Sequence, residues 1–226
     1  MNPPSESRRE LDSTVVNIEL TLVSIIQGVA LFFLTDNARA SMSVRHWEKF
    51  LYVAAGLCVI FIFWSRSIIH ILTLIKWPLE FGHNFFYIAC AVGEAILFSR
   101  LDSPLEWFQL SAAYAGVVWL LFIYDMRLIR ARITESNNVA DRTLYVRAKA
   151  DQLLNIWALV PLLFVLNLGC AFCIWRWPDL FITRAGHIWL ISIQLASFIG
   201  YLIYIGRYFK GIAPLLLRSR EGAGEQ

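Results

Sequence analysis

Charge is scarce in this chain. Only 16% of its 226 residues are Asp, Glu, Lys or Arg, while 58% are hydrophobic, and a soluble domain carries about 25% charge. Mean hydropathy is +0.57. The apolar residues come in long blocks rather than at one-face spacing, which points away from a soluble domain and toward a polytopic membrane protein. The net charge of +3 is modest, and no nucleic-acid partner is expected. A secretory leader is not expected. The first fourteen residues, MNPPSESRRELDST, are polar, and no small-residue cleavage site follows a short apolar core. The first membrane helix is therefore expected to act as an uncleaved signal. Cysteine is sparse. Cys58, Cys90, Cys170 and Cys173 all fall inside apolar blocks, where disulfides are not expected. Cys170-Ala-Phe-Cys173 has the spacing of half a metal or redox motif. No second pair completes it, so these thiols read as packing. The chain also lacks an internal repeat, a nucleotide-binding glycine loop and a low-complexity segment. No Ser/His/Asp or metal-ligand constellation recommends an enzyme, and no cofactor or metal is expected.

What is present is a set of six apolar segments, at about 15–34, 50–72, 77–98, 105–124, 153–175 and 187–205. Each is near the roughly 20 residues that a helix needs to cross hydrocarbon. Inside lipid a segment must satisfy its own backbone polar groups, so these are helices and not strands. The expected fold is all-α, with a polar N-terminus at 1–14, a transmembrane domain at 15–210 and a tail at 211–226. Fourteen Lys and Arg fall on the side of the two termini, the second-to-third turn and the fourth-to-fifth connection. Six fall on the other side: Arg39, Arg45, Lys49, Arg100, Arg176 and Arg184. The positive-inside rule places the richer side, and both termini, in the cytoplasm of a plasma membrane, the inner membrane in a bacterium. Tryptophans such as Trp47, Trp64, Trp77, Trp107, Trp175 and Trp189 lie near the predicted span ends, where amphipathic rings prefer to sit.

The longest extramembrane piece is the hairpin 126–151, with the basic patch Arg127, Arg130, Arg132, Arg142, Arg147 and Lys149. It reads as a helical extension, a break at Ser136-Asn137-Asn138, and a new helix capped by Asp141. Such a patch fixes topology and touches anionic head groups or a docking partner.

The charges within apolar sequence are more informative. "FWSRSIIHILTLIKWPLEFGHNFFYIACAVGEAILF" (63–98) carries Arg66, His70, Lys76, Glu80, His83 and Glu94. At about 100° per residue, Glu80, His83, Tyr87 and Glu94 fall within a stripe about 60° wide. Ionisable groups are costly against lipid, so this stripe should face protein or water. Arg66 and His70 lie one turn apart and face Glu80 and His83 across the hairpin. Gln27 lies deep in the first span. The stripe, with Arg66, His70 and Gln27, is either interhelical packing or a conduction path. In the sixth span Gln194, Ser197, Tyr201, Tyr204 and Tyr208 recur at steps of three and four, a seam for interhelical hydrogen bonds. Asn155, Pro161 and Asn167 predict a kink with a polar lining in the fifth. His70 and His83 near one face, and His46 and His187 near the other, have the two-sided placement of a bis-histidine haem protein.

Trp64 and His70 at the end of the second helix, and the short turn Ile75-Lys76-Trp77-Pro78, resemble the prokaryotic relatives of the lysosomal potassium channel. The resemblance lies in the order of elements over most of the chain. The Arg and Phe-Ser-Asp motif of that family's first helix is absent from Leu22-Val23-Ser24-Ile25-Ile26-Gln27-Gly28. The resemblance implies six helices, both termini inside and a tetrameric pore, and carries no pore residue onto this chain. Three functions fit these features. The first is an ion- or proton-conducting, channel-like protein acting as a homo-oligomer. The second is a non-catalytic membrane subunit that docks a partner through the basic hairpin. The third is a membrane redox or haem protein.

Overall fold

A computed structural model describes residues 6–41, 47–74, 81–136 and 138–221. Every regular element among them is helical. In chain order they are α1 (Glu6–Ser41), α2 (Lys49–Thr73), α3 (Phe81–Phe98), α4 (Pro104–Glu135), α5 (Val139–Leu154), α6 (Val160–Arg176) and α7 (His187–Glu221). Five residues in π-helical turns, Asn155–Leu159, join α5 to α6, and a second such turn, Asp179–Thr183, precedes α7. Six helical segments are long and apolar enough to cross a membrane. They are Glu10–Arg39, Lys49–Thr73, Phe81–Phe98, Pro104–Glu135, Val139–Arg176 and His187–Arg218. Each of the six expected apolar segments overlaps one of these helices, and by helix length and composition the chain is a multi-pass membrane protein.

Most helices outrun their apolar cores. α1 begins within the segment expected to be a polar terminus, and α7 continues through 211–221, which the sequence suggested as a tail. Residues 75–80 lie outside the described residues, so the expected start of the third crossing at Trp77 is not covered and α3 is described from Phe81. In the hairpin, α4 runs to Glu135 and α5 starts at Val139. Asn138, not Asp141, is the N-cap: its side chain accepts from the Ala140 N–H at 2.9 Å. Asparagine holds that position because its short carbonyl reaches the orphan N–H two residues on.

The π-helical turn between α5 and α6 has a local cause. Pro161 has no N–H to give to Trp157, and its ring crowds that carbonyl. The helix widens just before it, and the Val160 N–H reaches back to the Asn155 carbonyl. The Ile156 carbonyl then takes the indole N–H of Trp119 on α4 at 2.9 Å. The expected kink is thus a widened turn with its freed acceptor satisfied.

Two apolar cores stack along the bundle. One gathers Leu34, Tyr52, Phe98, Trp107, Ile174 and Ile191. The other gathers Val15, Ile71, Tyr87, Phe122, Met126 and Val160. The hairpin is not a free loop: Ile129, Tyr145 and Ala148 pack with Leu74, and Leu144 packs with Ile69 and Ile212. Val15 and Ile212 therefore sit at the same end of the bundle, where α2 ends and α3 begins. This agrees with an even number of crossings. Outward-facing Phe32, Ile25, Phe85, Val165 and Trp189 are exposed, as expected of surfaces that meet acyl chains. Gly82 permits close contact of α3 with α4: a Cβ there would lie 2.5 Å from the Tyr124 ring.

Candidate functional site

All seven helices have polar groups on their inner faces, and these meet in distinct clusters. The first lies at the hairpin end. Arg66 of α2 places Nη2 2.7 Å from Asp151 Oδ2 of α5, with both side chains 4% exposed. The Tyr204 hydroxyl of α7 donates to Asp151 Oδ1 at 2.5 Å. Tyr201, one turn earlier, donates to Asn155 Oδ1, and the Asn155 amide returns to the Asp151 carbonyl at 2.8 Å. The Arg66 guanidinium also lies over the rings of Phe122 (5.2 Å) and Tyr208 (5.9 Å), geometry in which a cation is attracted to ring faces. Among the described residues none of its three guanidinium nitrogens meets an acceptor in hydrogen-bond geometry, so the contact of Nη2 with Asp151 is an ion pair by distance.

The second cluster is centred on Asp125 of α4, which is fully buried. Its carboxylate bridges two imidazoles: His70 Nδ1 of α2 at 3.0 Å and His83 Nδ1 of α3 at 2.7 Å. The Tyr87 ring packs against His83 at a tilt of 42°, with centroids 4.6 Å apart. Placing a lone carboxylate here would be costly, and two imidazoles on separate helices supply the compensating donors.

The third cluster surrounds Glu94 of α3, also fully buried. Its Oε1 accepts from the Tyr114 hydroxyl of α4 at 2.8 Å, and its Oε2 from the Gln27 amide of α1 at 3.3 Å. Farther along, Gln194 of α7 accepts from the Trp107 indole at 2.8 Å and donates to Asn167 at 2.5 Å. Near the opposite end Tyr52 Oη and His187 Nδ1 are 3.0 Å apart.

A cavity of about 70 Å³ joins several of these clusters. Arg66, His70, Tyr87, Ser111, Tyr114 and Asn167 line it, between walls that include Val59, Phe122, Val160 and Phe198. By volume it has room for a handful of waters, since one water needs roughly 10–15 Å³ measured this way. Ser111 Oγ is buried there without a hydrogen-bond partner among the described residues, which gives a water at least one polar contact.

The stripe read from the sequence is thus largely internal. His83, Tyr87 and Glu94 are buried, and Gln27 reaches Glu94. Glu80 lies outside the described residues. Arg66 and His70 divide between two partners: Arg66 pairs with Asp151, whereas His70 meets His83 through Asp125. Gln194, Tyr201, Tyr204 and Tyr208 of the α7 seam all contact protein. Ser197 stands apart, bonding back to the Ile193 carbonyl of its own helix at 2.8 Å. In the basic patch Arg127, Arg130, Arg142 and Arg147 are exposed and Lys149 is half-buried. Arg132 instead closes the end of α2, donating to the Leu74 carbonyl at 3.3 Å. The residues that the sequence did not reveal are Asp125, Asp151 and Tyr114. Both aspartates sit where an apolar block gives way to a basic segment, and there they resemble ordinary interfacial charges. Compared with known proteins, the chain matches no family model, no curated protein and no solved structure.

Proposed function

We propose that this membrane protein passes protons between the hairpin end and the middle of the bundle, as a proton-conducting or proton-coupled transporter. The observation that carries this reading is the central cavity. Its lining includes His70, which binds Asp125 beside His83, and Tyr114, which binds Glu94, so one partner of each buried carboxylate faces the same space. Imidazole, carboxyl, phenol and water can each accept a proton at one atom and release it from another, as a relay requires. His83 and Glu94 are eleven residues apart on α3, about 16 Å along the axis at about 1.5 Å per residue. That gap exceeds one hydrogen bond, so cavity water is the proposed link. A proton arriving at the His70–Asp125–His83 unit moves to water in the cavity, then to Tyr114 as its hydroxyl proton passes to Glu94. Intramembrane acids at helix contacts commonly serve this purpose.

The reading is tested in liposomes containing the purified protein and an internal pH indicator, with a potassium diffusion potential as driving force. Wild-type protein should acidify or alkalinise the lumen according to the sign of the potential. Glu94→Gln and Asp125→Asn should each lower that flux at least tenfold, with normal elution and helicity. Equal flux in wild type and both variants would overturn the relay.

A second reading is a membrane subunit that docks an acidic partner. It is favoured by the exposed Arg130 and Arg142, which have no ion pair among the described residues. It requires that Arg130→Glu with Arg142→Glu abolish co-elution of a subunit with the wild-type chain expressed in its own host, while proton flux stays unchanged. Conduction through several copies of the chain, as the channel resemblance implies, would instead show as a homo-oligomer in a mass measurement of the same sample.

A further inference from the structure

The furrow between α5 and α7 has no role in the proposed relay. It consists of two adjoining hollows of 370 Å³ and 500 Å³. The first is lined by Arg147, Asp151, Leu154, Tyr204 and Arg207. The second is lined by Val146, Arg147, Pro214, Leu215 and Arg218. Arg147 and Ala150 belong to both, so the hollows form one trough along the helix pair.

Three arginines and one aspartate line the trough, but its charges are not in balance. Asp151 is already committed to Arg66 and Tyr204. Arg147, Arg207 and Arg218 are exposed, and none is ion-paired among the described residues. The trough therefore presents net positive charge. Its position matters as much as its sign. Arg207 lies about twenty residues into α7, about 30 Å from His187, where a helix that starts at one face of the hydrocarbon reaches the other. On the side nearer the hydrocarbon the lining becomes apolar and aromatic, with Leu154 and Tyr204.

We infer that this furrow holds one anionic glycerophospholipid, its phosphate between Arg147 and Arg207 and an acyl chain along Leu154 and Tyr204. Guanidinium groups favour phosphate because their planar N–H pairs match two phosphate oxygens. Basic hollows between helices at an interface suit anionic head groups for the same reason. Arg218, eleven residues and about 16 Å beyond Arg207, extends the positive field to a larger head group. The site does not depend on proton transfer, since neither Arg147 nor Arg207 lines the central cavity.

The test is native mass spectrometry of the full-length protein from micelles containing equal amounts of phosphatidylglycerol and phosphatidylcholine. Wild type should retain one phosphatidylglycerol in preference to phosphatidylcholine. Arg147→Gln with Arg207→Gln should reduce retention at least fivefold. Ala150→Trp, which keeps both arginines and fills the floor shared by the two hollows, should do the same. If the double glutamine variant misfolds by elution or helicity, the Ala150→Trp result decides alone. An equal loss in Arg127→Gln with Arg130→Gln would show diffuse surface charge and overturn the site. So would unchanged retention in Ala150→Trp. Release of the retained lipid by millimolar inorganic phosphate would show that the furrow recognises phosphate alone and would overturn its assignment to a lipid.

Discussion

At the scale of single residues, the buried charges separate into pairs that hold the bundle and groups able to exchange protons. Arg66 and Asp151 belong to the first kind. Removing one partner of such a buried pair costs about 3–5 kcal/mol, so Asp151→Leu should strongly lower the melting temperature in detergent. Arg66→Met combined with Asp151→Leu should recover much of that loss, because no lone charge remains. Tyr201→Phe deletes one interhelical hydrogen bond to Asn155 and should cost about 0.6–1.7 kcal/mol, measured by reversible unfolding. In the proposed relay Glu94 belongs to the second kind. Glutamine in its place retains an acceptor for Tyr114 and the volume of the side chain, so Glu94→Gln should alter transport while leaving the melting temperature within a few degrees. His83 and Glu94 were legible in the sequence because lipid penalises a charge wherever it faces outward, and their spacing placed both on one stripe. Asp125 and Asp151 were not. A carboxylate at the end of an apolar block looks solvated until the helix is known to continue past it and a neighbour to return against it.

At the scale of elements, the bundle depends on two local departures from regular helix packing. The first is Gly82, where α3 nearly touches the Tyr124 ring of α4. Gly82→Ala must push the Tyr124 side chain aside, which offsets the helix gain of about 0.5–1 kcal/mol that alanine brings, so it should be less stable than Gly169→Ala, which has open space around its Cβ position. The contrast is measurable by melting both variants side by side. The second departure is the widened turn before Pro161. The sequence announced a disturbance there through proline, but not its form, which depends on an indole on α4 reaching the freed Ile156 carbonyl. The span cores were readable from hydropathy because every crossing must exclude water from its backbone. The outer ends were not, because α4, α5 and α7 continue as helix beyond the apolar blocks, held by packing of Ile129, Leu144, Tyr145 and Ile212 that hydropathy does not register.

At the scale of the whole molecule, Val15 of α1 packs in one cluster with Ile71, and Ile212 of α7 in another with Ile69 and Leu144 of the hairpin, and the positive-inside rule predicts that this face is cytoplasmic. In a background lacking the four native cysteines, a cysteine at Ser103 should react with an impermeant reagent added outside the cell, and one at Asn138 should not. The reverse pattern would invert the orientation. The long-range pairing of charges also has a consequence for how the protein is made. His70 is synthesised 55 residues before the aspartate that binds it, and Gln27 is 67 residues ahead of Glu94. Arg66 waits longer still, for a helix that follows two further crossings. When α2 leaves the ribosome it carries a cation two turns from its hairpin end, whose burial in lipid is opposed by less than the roughly 2.5–3.5 kcal/mol of a helix centre but is still unfavourable. Its natural course is to linger at the insertion machinery, or at the membrane edge with Arg66 reaching toward water, until α5 arrives. A nascent chain truncated after Glu135 should therefore leave α2 loosely integrated and prone to degradation, while one extended through Arg176 should be retained. The order in which helices are released, and not hydropathy alone, would then set the yield of folded protein.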